Sequence, residues 1–317
     1  MSTAPRPSIS IVGPTAVGKT ELAIELCRRF GGEVINADSR QVYRRMDIGT
    51  AKATAIEQFQ APHHLIDLLE PSEHFSLGSF LPLAKKASDD IVGRGLIPFL
   101  TGGTGQYVWA MVEEQSVPPV PPNQELREDL EREASGEDGA QVLHDRLREI
   151  DPARADALDA RNVRRVIRAL EIHHATGRKP SEFGAPDADP GRSLVLGLTM
   201  DRKALYRRID DRVDAMMKAG FLAEVESLMA AGLPTEQGAL DSPGYRELGL
   251  YLAGELTLEE AVSRTKTQTH HLARRQYTWF KPSDRRITWL DVTAPRLAQR
   301  AAERVLTYLS ETAPVVQ

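Results

Sequence analysis

Gly13, Pro14, Thr15, Ala16, Val17, Gly18, Lys19 and Thr20 satisfy the pattern G-x-x-x-x-G-K-[ST] without a mismatch. The chemistry this run suits is the binding of a di- or triphosphate. Backbone N–H groups of such a loop, and of the helix that follows it, converge on an anion. A lysine at this point adds positive charge at the terminal phosphates, and a threonine hydroxyl is a ligand for Mg²⁺. The alternative is a glycine-bracketed turn with a solvated lysine. Asp38 ends the apolar run Val34 to Asp38, which follows the helix behind the loop. At the carboxyl edge of a parallel sheet it would stand beside the cradle, where α/β proteins bind their ligands. The alternative is a capping role, for which Asp38-Ser39 is also well suited.

A phosphate cradle does not by itself name a reaction. P-loop NTPases hold Mg²⁺ with a second acid. The best apolar run, Leu96 to Leu100, ends in Thr101 instead. Val34 to Asp38 and Leu65 to Asp67 reach acids without a clean apolar stretch before them. Hydrolysis is therefore a weaker reading than the binding of a diphosphate as a leaving group.

Charge is segregated along the chain. Arg161, Arg164, Arg165, Arg168, Arg178 and Lys179 share a segment with one acid, Glu171. A second basic segment runs from Arg264 to Arg286 with Asp284 as its one acid. On a helix, residues 161, 164, 165 and 168 share a face, a stripe suited to a phosphate backbone or simply to water. His63-His64 and His270-His271 have no further ligands at metal-binding spacing, so a metal centre there is not expected.

The elements that must position these residues alternate. Ile9 to Val12, Val34 to Asp38, Leu65 to Leu69, Leu96 to Leu100, Ser193 to Leu198 and Trp289-Leu290 read as strands. Glu21 to Phe30 and Ser79 to Val92 read as helices. This rhythm predicts an α/β fold, a P-loop parallel-sheet core with helices on its faces. Val117 to Pro122 holds four prolines in six residues, a stiff linker. Beyond it, Gln124 to Ser135, Gln141 to Ile150, Pro152 to Asp159 and Val163 to Thr176 read as helices, closed by a second breaker-rich stretch from Gly177 to Gly191. We expect residues 1–120 and 190–317 to form the catalytic core, with a helical C-terminal part. Residues 121–189 then form an inserted all-helical subdomain.

The chain has 317 residues, 41% hydrophobic and 27% charged, an ordinary globular composition able to bury a core. Cys27 is its one cysteine, which excludes a disulfide framework and fits a reducing, cytoplasmic setting. No apolar run approaches the length of a bilayer span, and Met1 to Ser8 lacks the apolar stretch of a signal peptide. The net charge of -5 argues against a general nucleic-acid coat but permits a local polyanion site.

Several stretches together resemble the tRNA dimethylallyltransferases, in that family's order and over nearly the full length. They are GPTAVGKTELAIELC (13–27), INADSRQVYRRMDIGTAK (35–52), PHHLIDLLEP (62–71), PFLTGGTGQYV (98–108), NVRRVIRALEI (162–172), RIDDRVDAMMKAGFLAEVESL (208–228), GYREL (244–248) and RRQYTWF (274–280). The resemblance implies transfer of a dimethylallyl group from dimethylallyl diphosphate to N6 of the adenosine 3′ to the anticodon, in tRNAs reading codons that begin with U. It makes Asp38 the general base, places Thr104 at the bridging oxygen of the diphosphate, and makes Arg212 the diphosphate clamp with Arg208 as runner-up. An ion pair with Asp210, Asp211 or Asp214 is the alternative for either arginine. Asp38, Ser39, Arg40 and Gln41 are expected near the flipped base. Arg164, Arg165 and Arg168 are expected at the anticodon stem-loop, and Tyr245, Arg246, Arg274, Arg275 and Gln276 at further tRNA contacts. Mg²⁺ is the implied cofactor, with Thr20 as its ligand, and a monomer the implied form.

The sequence departs from the family pattern at Pro243, where an aliphatic residue is usual. It also departs at Ala53, which stands where a proline often follows the lysine, and at Gln106. It lacks the Cys/His finger of some eukaryotic relatives and so resembles the shorter bacterial form. Competing readings are an enzyme that prenylates free adenylate, a P-loop small-molecule kinase, and a non-catalytic RNA-binding module. Trp279, Phe280 and Trp289 are expected in the core.

Overall fold

The structure, a computed structural model, describes residues 8–115, 117–118, 120–183, 193–236 and 238–312. Met1 to Pro7, Pro119 and most of the second breaker-rich stretch, with Gly184, Pro186, Pro190 and Gly191, lie outside the described residues.

Six strands form one parallel sheet: β1 (Ser8–Val12), β2 (Gly32–Asn36), β3 (His63–His64), β4 (Ile97–Thr101), β5 (Ser193–Thr199) and β6 (Ile287–Asp291). Their order is β3-β2-β4-β1-β5-β6, so β1 is central, paired with both β4 and β5. β1 is buried from Ile9 to Val12, as expected for a strand with helices on both faces. Ile9 and Ile11 on β1, Phe99 on β4 and Val34 on β2 pack on α1 (Lys19–Phe30) through Leu22, Ala23 and Leu26. Gly31 ends α1 in the left-handed region, φ 68°, its N–H donating to Cys27.

Two strand expectations are corrected. β2 stops at Asn36, so Asp38 lies in the turn beyond the strand and not on it. Residues 65–69 are not a strand. Leu65 and Asp67 have φ of 63° and 53°, a backbone that no extended run tolerates. What survives of that pattern is β3 just before it and a single bridge from Leu69 to Tyr43. The short α2 (Ala55–Gln60) was not anticipated. Thr54 and Glu57 form a reciprocal capping box at its start, a T-x-x-E signal present in the sequence. α3 (Leu77–Gly93) and α4 (Gly105–Val112) complete this half of the core.

Contacts divide the chain into two compact units, Met1–Val112 with Asp189–Gln317, and Glu113–Ala188. The second is helical: α5 (Gln124–Ala134), α6 (Gly139–Ile150), α7 (Pro152–Asp156) and α8 (Val163–Thr176). Leu130, Leu143, Leu147, Val166, Ile167 and Leu170 form its core. It begins at Glu113, before the proline run, and takes in Val120 of that run, which is buried with its carbonyl accepting from Arg168 at 2.9 Å. α7 ends three residues before Asp159.

After β5 the first unit continues as α9 (Arg202–Lys218), α10 (Phe221–Ala230), α11 (Tyr245–Leu252), α12 (Leu258–Trp279), β6 and α13 (Leu297–Thr312). Among the described residues, no helix is long and apolar enough to cross a membrane.

Candidate active site

The loop between β1 and α1 is shaped by its glycines. Gly13 has φ 142°, and a Cβ there would stand 2.6 Å from the Leu198 carbonyl oxygen, so no other residue fits without moving β5. Gly18 caps α1 at φ 101°. Between them Pro14, Ala16 and Val17 are buried and Thr15 is half-buried. Lys19 donates to the carbonyls of Gly13 at 3.1 Å and Pro14 at 2.9 Å. Thr20 lies half-buried in the first turn of the helix.

Four charged groups meet at this loop, Lys19, Asp38, Arg208 and Arg212. Burial lowers the Lys19 ammonium to about 8, with Arg212 pushing the same way and Asp38 opposing. Burial also lowers the Arg212 guanidinium; Asp38 again opposes and Arg208 adds to the lowering. Arg208 itself reaches the loop, its Nη2 3.5 Å from where a Cβ on Gly18 would be. The alternative of local ion pairs on α9 does not hold. Asp214 pairs with Lys266 at 2.7 Å, and Asp210 lies 2.9 Å from His270. That second contact has an ion-pair distance without hydrogen-bond alignment. Neither Arg208 nor Arg212 has an acid within ion-pair reach among the described residues. Both face the phosphate loop as cations looking for an anion.

Asp38 is fixed by its neighbours in the turn. Its Oδ1 accepts from the Arg40 N–H at 2.9 Å. The N–H of Ser39 donates to Thr104 Oγ1 at 3.1 Å, and the N–H of Thr104 to the Ala37 carbonyl at 3.2 Å. Gly102 makes this approach possible, since a Cβ there would lie 2.2 Å from the Ala37 oxygen. The Thr104 hydroxyl accepts from Ser39, so its own hydrogen remains available to donate. Arg40 donates to the carbonyls of Gly238 at 2.8 Å and Asp241 at 3.0 Å. The Gln41 amide donates to Thr50 and Ala51.

Some expected contacts are corrected. Gln276 is 7% exposed, too deep for RNA. Its Oε1 accepts from the Thr15 N–H at 2.7 Å, and its Nε2 donates to the Gly103 carbonyl at 3.2 Å. It therefore clasps the phosphate loop to the loop that carries Thr104. Tyr245 is 1% exposed, and its hydroxyl donates to Glu224 at 2.7 Å. That carboxylate also accepts from the N–H groups of Asp47, Ile48 and Gly49. Tyr245 is thus a packing residue that helps hold the 47–52 loop, and no RNA contact. Trp279, expected in the core, is 41% exposed, whereas Phe280 is fully buried.

Arg246, Arg264 and Arg275 line an open cleft of ≈ 500 Å³ together with Ser242, Pro243 and Gln268. Pro243 is accommodated in that wall.

In the helical unit, Arg164 and Arg165 are exposed on α8. Arg161 precedes the helix and pairs with Asp159 at 2.6 Å. Arg168 is turned inward onto Glu171 and Val120. Glu171 is 1% exposed and also accepts from Arg127 and from the Asn123 N–H. The stripe of four is therefore a pair, because the inner arginine neutralises a buried acid. Among the described residues no group of His, Cys, Asp or Glu is placed to hold a metal by itself.

A phosphate cradle at the carboxyl edge of a parallel sheet, with an acid and two arginines turned toward it, defines a P-loop protein of the group-transfer class. The IPP transferase family matches residues 41–283, and the isopentenyl transferase family residues 8–63. The chain belongs to the IPP transferase family, a family of prenyltransferases. It is 47% identical over 306 residues to the tRNA dimethylallyltransferase of Thermomicrobium roseum, covering 96% of this chain and 92% of that protein. It is 47% identical over 303 residues to that of Roseiflexus sp., covering 96% and 99%. Among solved structures it matches the tRNA isopentenylpyrophosphate transferase of Bacillus halodurans with a TM-score of 0.71 and 41% identity, over 98% of each chain. A eukaryotic dimethylallyltransferase captured acting on tRNA matches with a TM-score of 0.80 and 30% identity, over 98% of this chain and 81% of that one.

Proposed function

We propose that the chain transfers a dimethylallyl group from dimethylallyl diphosphate to N6 of the adenosine 3′ to the anticodon of tRNA, in tRNAs reading codons that begin with U. The observation that carries this reading is the bond from Ser39 to Thr104. It ties the turn of the acid to a hydroxyl donor beside the cradle, so base and leaving-group residues form one unit.

The exocyclic amine of adenine is a poor nucleophile because its lone pair is delocalised. Asp38 accepts the N6 proton as the N6–C1 bond forms. The C1–O bond breaks, and its electron pair leaves with the diphosphate. The Thr104 hydroxyl donates to the departing oxygen, while Lys19, Arg208 and Arg212 stabilise the growing charge. An adenine in a loop reaches such a site by leaving its stack, at less cost than in a duplex. Ser39, Arg40 and Gln41 border that turn, and Arg246 and Arg275 of the first unit and Arg164 and Arg165 of the second offer charge to the phosphate backbone.

The residues present fit Mg²⁺. Thr20, half-buried in the first turn of α1, supplies a hard oxygen ligand of the kind this ion prefers. Thr20 would hold the ion, which when bound would neutralise charge on the diphosphate. The acting form proposed is a monomer in the cytoplasm, bound to the anticodon stem-loop.

The test mixes the protein with Mg²⁺, radiolabelled dimethylallyl diphosphate and either unmodified tRNA or AMP. Label in tRNA is the expected result. Label in AMP alone would move the function to free adenylate, and ATP consumption with an added metabolite and no label would make the protein a kinase.

A further inference from the structure

Asn36 is the last residue of β2, 5% exposed, and no step above uses it. Its side-chain amide makes three hydrogen bonds, all to backbone. Oδ1 accepts from the Asp38 N–H at 3.2 Å. Nδ2 donates to the Asp38 carbonyl at 3.3 Å and to the Leu65 carbonyl at 3.1 Å. One buried amide thus grips the polar groups on both sides of the Asp38 Cα. It also anchors them to a residue whose own backbone is left-handed, φ 63°. A non-glycine residue persists there only where its surroundings over-determine it.

We infer that Asn36 is a positioning residue for proton abstraction: it acts through the Asp38 backbone and sets where that carboxylate stands relative to N6. The inference rests on Asp38 being the base. An amide is the group the geometry requires. It must accept at one end and donate twice at the other, which neither a carboxylate nor a hydroxyl does. Proton transfer in an alkylation is sensitive to placement at the level of ångström fractions. Loss of Asn36 therefore acts on turnover and not on capture of the diphosphate, which is held by the loop after β1.

The test is a double-mutant cycle in tRNA prenylation with Asn36→Ala, Asp38→Ala and the double variant, read as kcat and as KM for both substrates. Pyrophosphate affinity is measured alongside by calorimetry. Asn36→Ala is expected to lower kcat by about 10- to 100-fold, with KM and pyrophosphate affinity within about threefold. In the Asp38→Ala background the same change is expected to have no further effect, since the group it positions is gone. Asn36→Asp, which keeps the acceptor and loses both donors, should match Asn36→Ala, and it serves in the cycle if the alanine variant does not fold. Wild-type kcat in either Asn36 variant, or equal losses with and without Asp38, would overturn the positioning role and leave Asp38 intact. Wild-type turnover in Asp38→Ala would instead remove the base itself.

Discussion

Burial lowers Lys19 to about 8, so the ammonium is fully charged only below that pH. A bound diphosphate favours the charged form and raises the value. Below pH 8 capture needs no proton; above it, each binding event takes one up, and affinity falls about tenfold per pH unit until the raised value is reached. Calorimetry with pyrophosphate at pH 7 and pH 9, in buffers of different ionisation enthalpy and corrected for the ligand's own titration, should show more uptake at the higher pH; the same difference in Lys19→Met would exclude Lys19 as the linked group. For the chemistry itself, Asp38→Ala should lower single-turnover transfer by about 10²- to 10⁴-fold, while filter binding of tRNA stays within about threefold. These residues were legible in the sequence because the loop is contiguous and Asp38 follows the next apolar run. Asn36 was not, because its amide works across a turn, and Gln276 stood out only as an RNA contact because its partners lie across the fold. Tyr245 and Arg168 were misread for a related reason: a phenol or a guanidinium serves burial as readily as contact, and only depth separates the two.

The helix that carries Arg164 and Arg165 owes its solvent-facing charge to its inward-facing pair. Glu171 is buried and satisfied by Arg127, Arg168 and the Asn123 N–H, which joins α5, α8 and the proline run. Removing both exposed arginines should weaken tRNA binding and reduce the slope of log K against log salt by about 2; an unchanged slope would return them to the role of solvated charge. Glu171→Ala should instead destabilise the helical unit by about 3 kcal/mol, since it strands two guanidinium groups, and protease susceptibility within residues 123–176 would report it. α8 was legible to the residue, Val163 to Thr176, because apolar spacing, an exposed charged face and Gly177 all agree. The run from Leu65 to Leu69 was not, because left-handed residues punctuate it and leave its composition untouched.

At the scale of the whole molecule, a parallel α/β core interrupted by helices could be read from the alternation of elements. The strand order could not, since pairing is decided by tertiary packing. Glu33 on β2, one strand in from the sheet edge, has a clear acid signature. Arg94, bonded to Glu33, and then His64 hold that carboxyl down at about 2, against the opposing effect of burial. A carboxyl lowered on folding contributes stability above its unfolded value near 4.5, which is lost as pH falls from there toward 2. The contribution is about 3 kcal/mol. Melting temperature measured from pH 6 to pH 3 should fall, and Glu33→Gln should flatten the part of that fall below pH 4.5; parallel curves would place the acid sensitivity elsewhere. The Gln276 clasp joins residues 261 apart in the chain. During synthesis the phosphate loop leaves the ribosome early, while the amide that fastens it is made only near the end. A nascent or prematurely terminated polypeptide therefore displays the whole phosphate-loop signature without the fastening that Gln276 supplies.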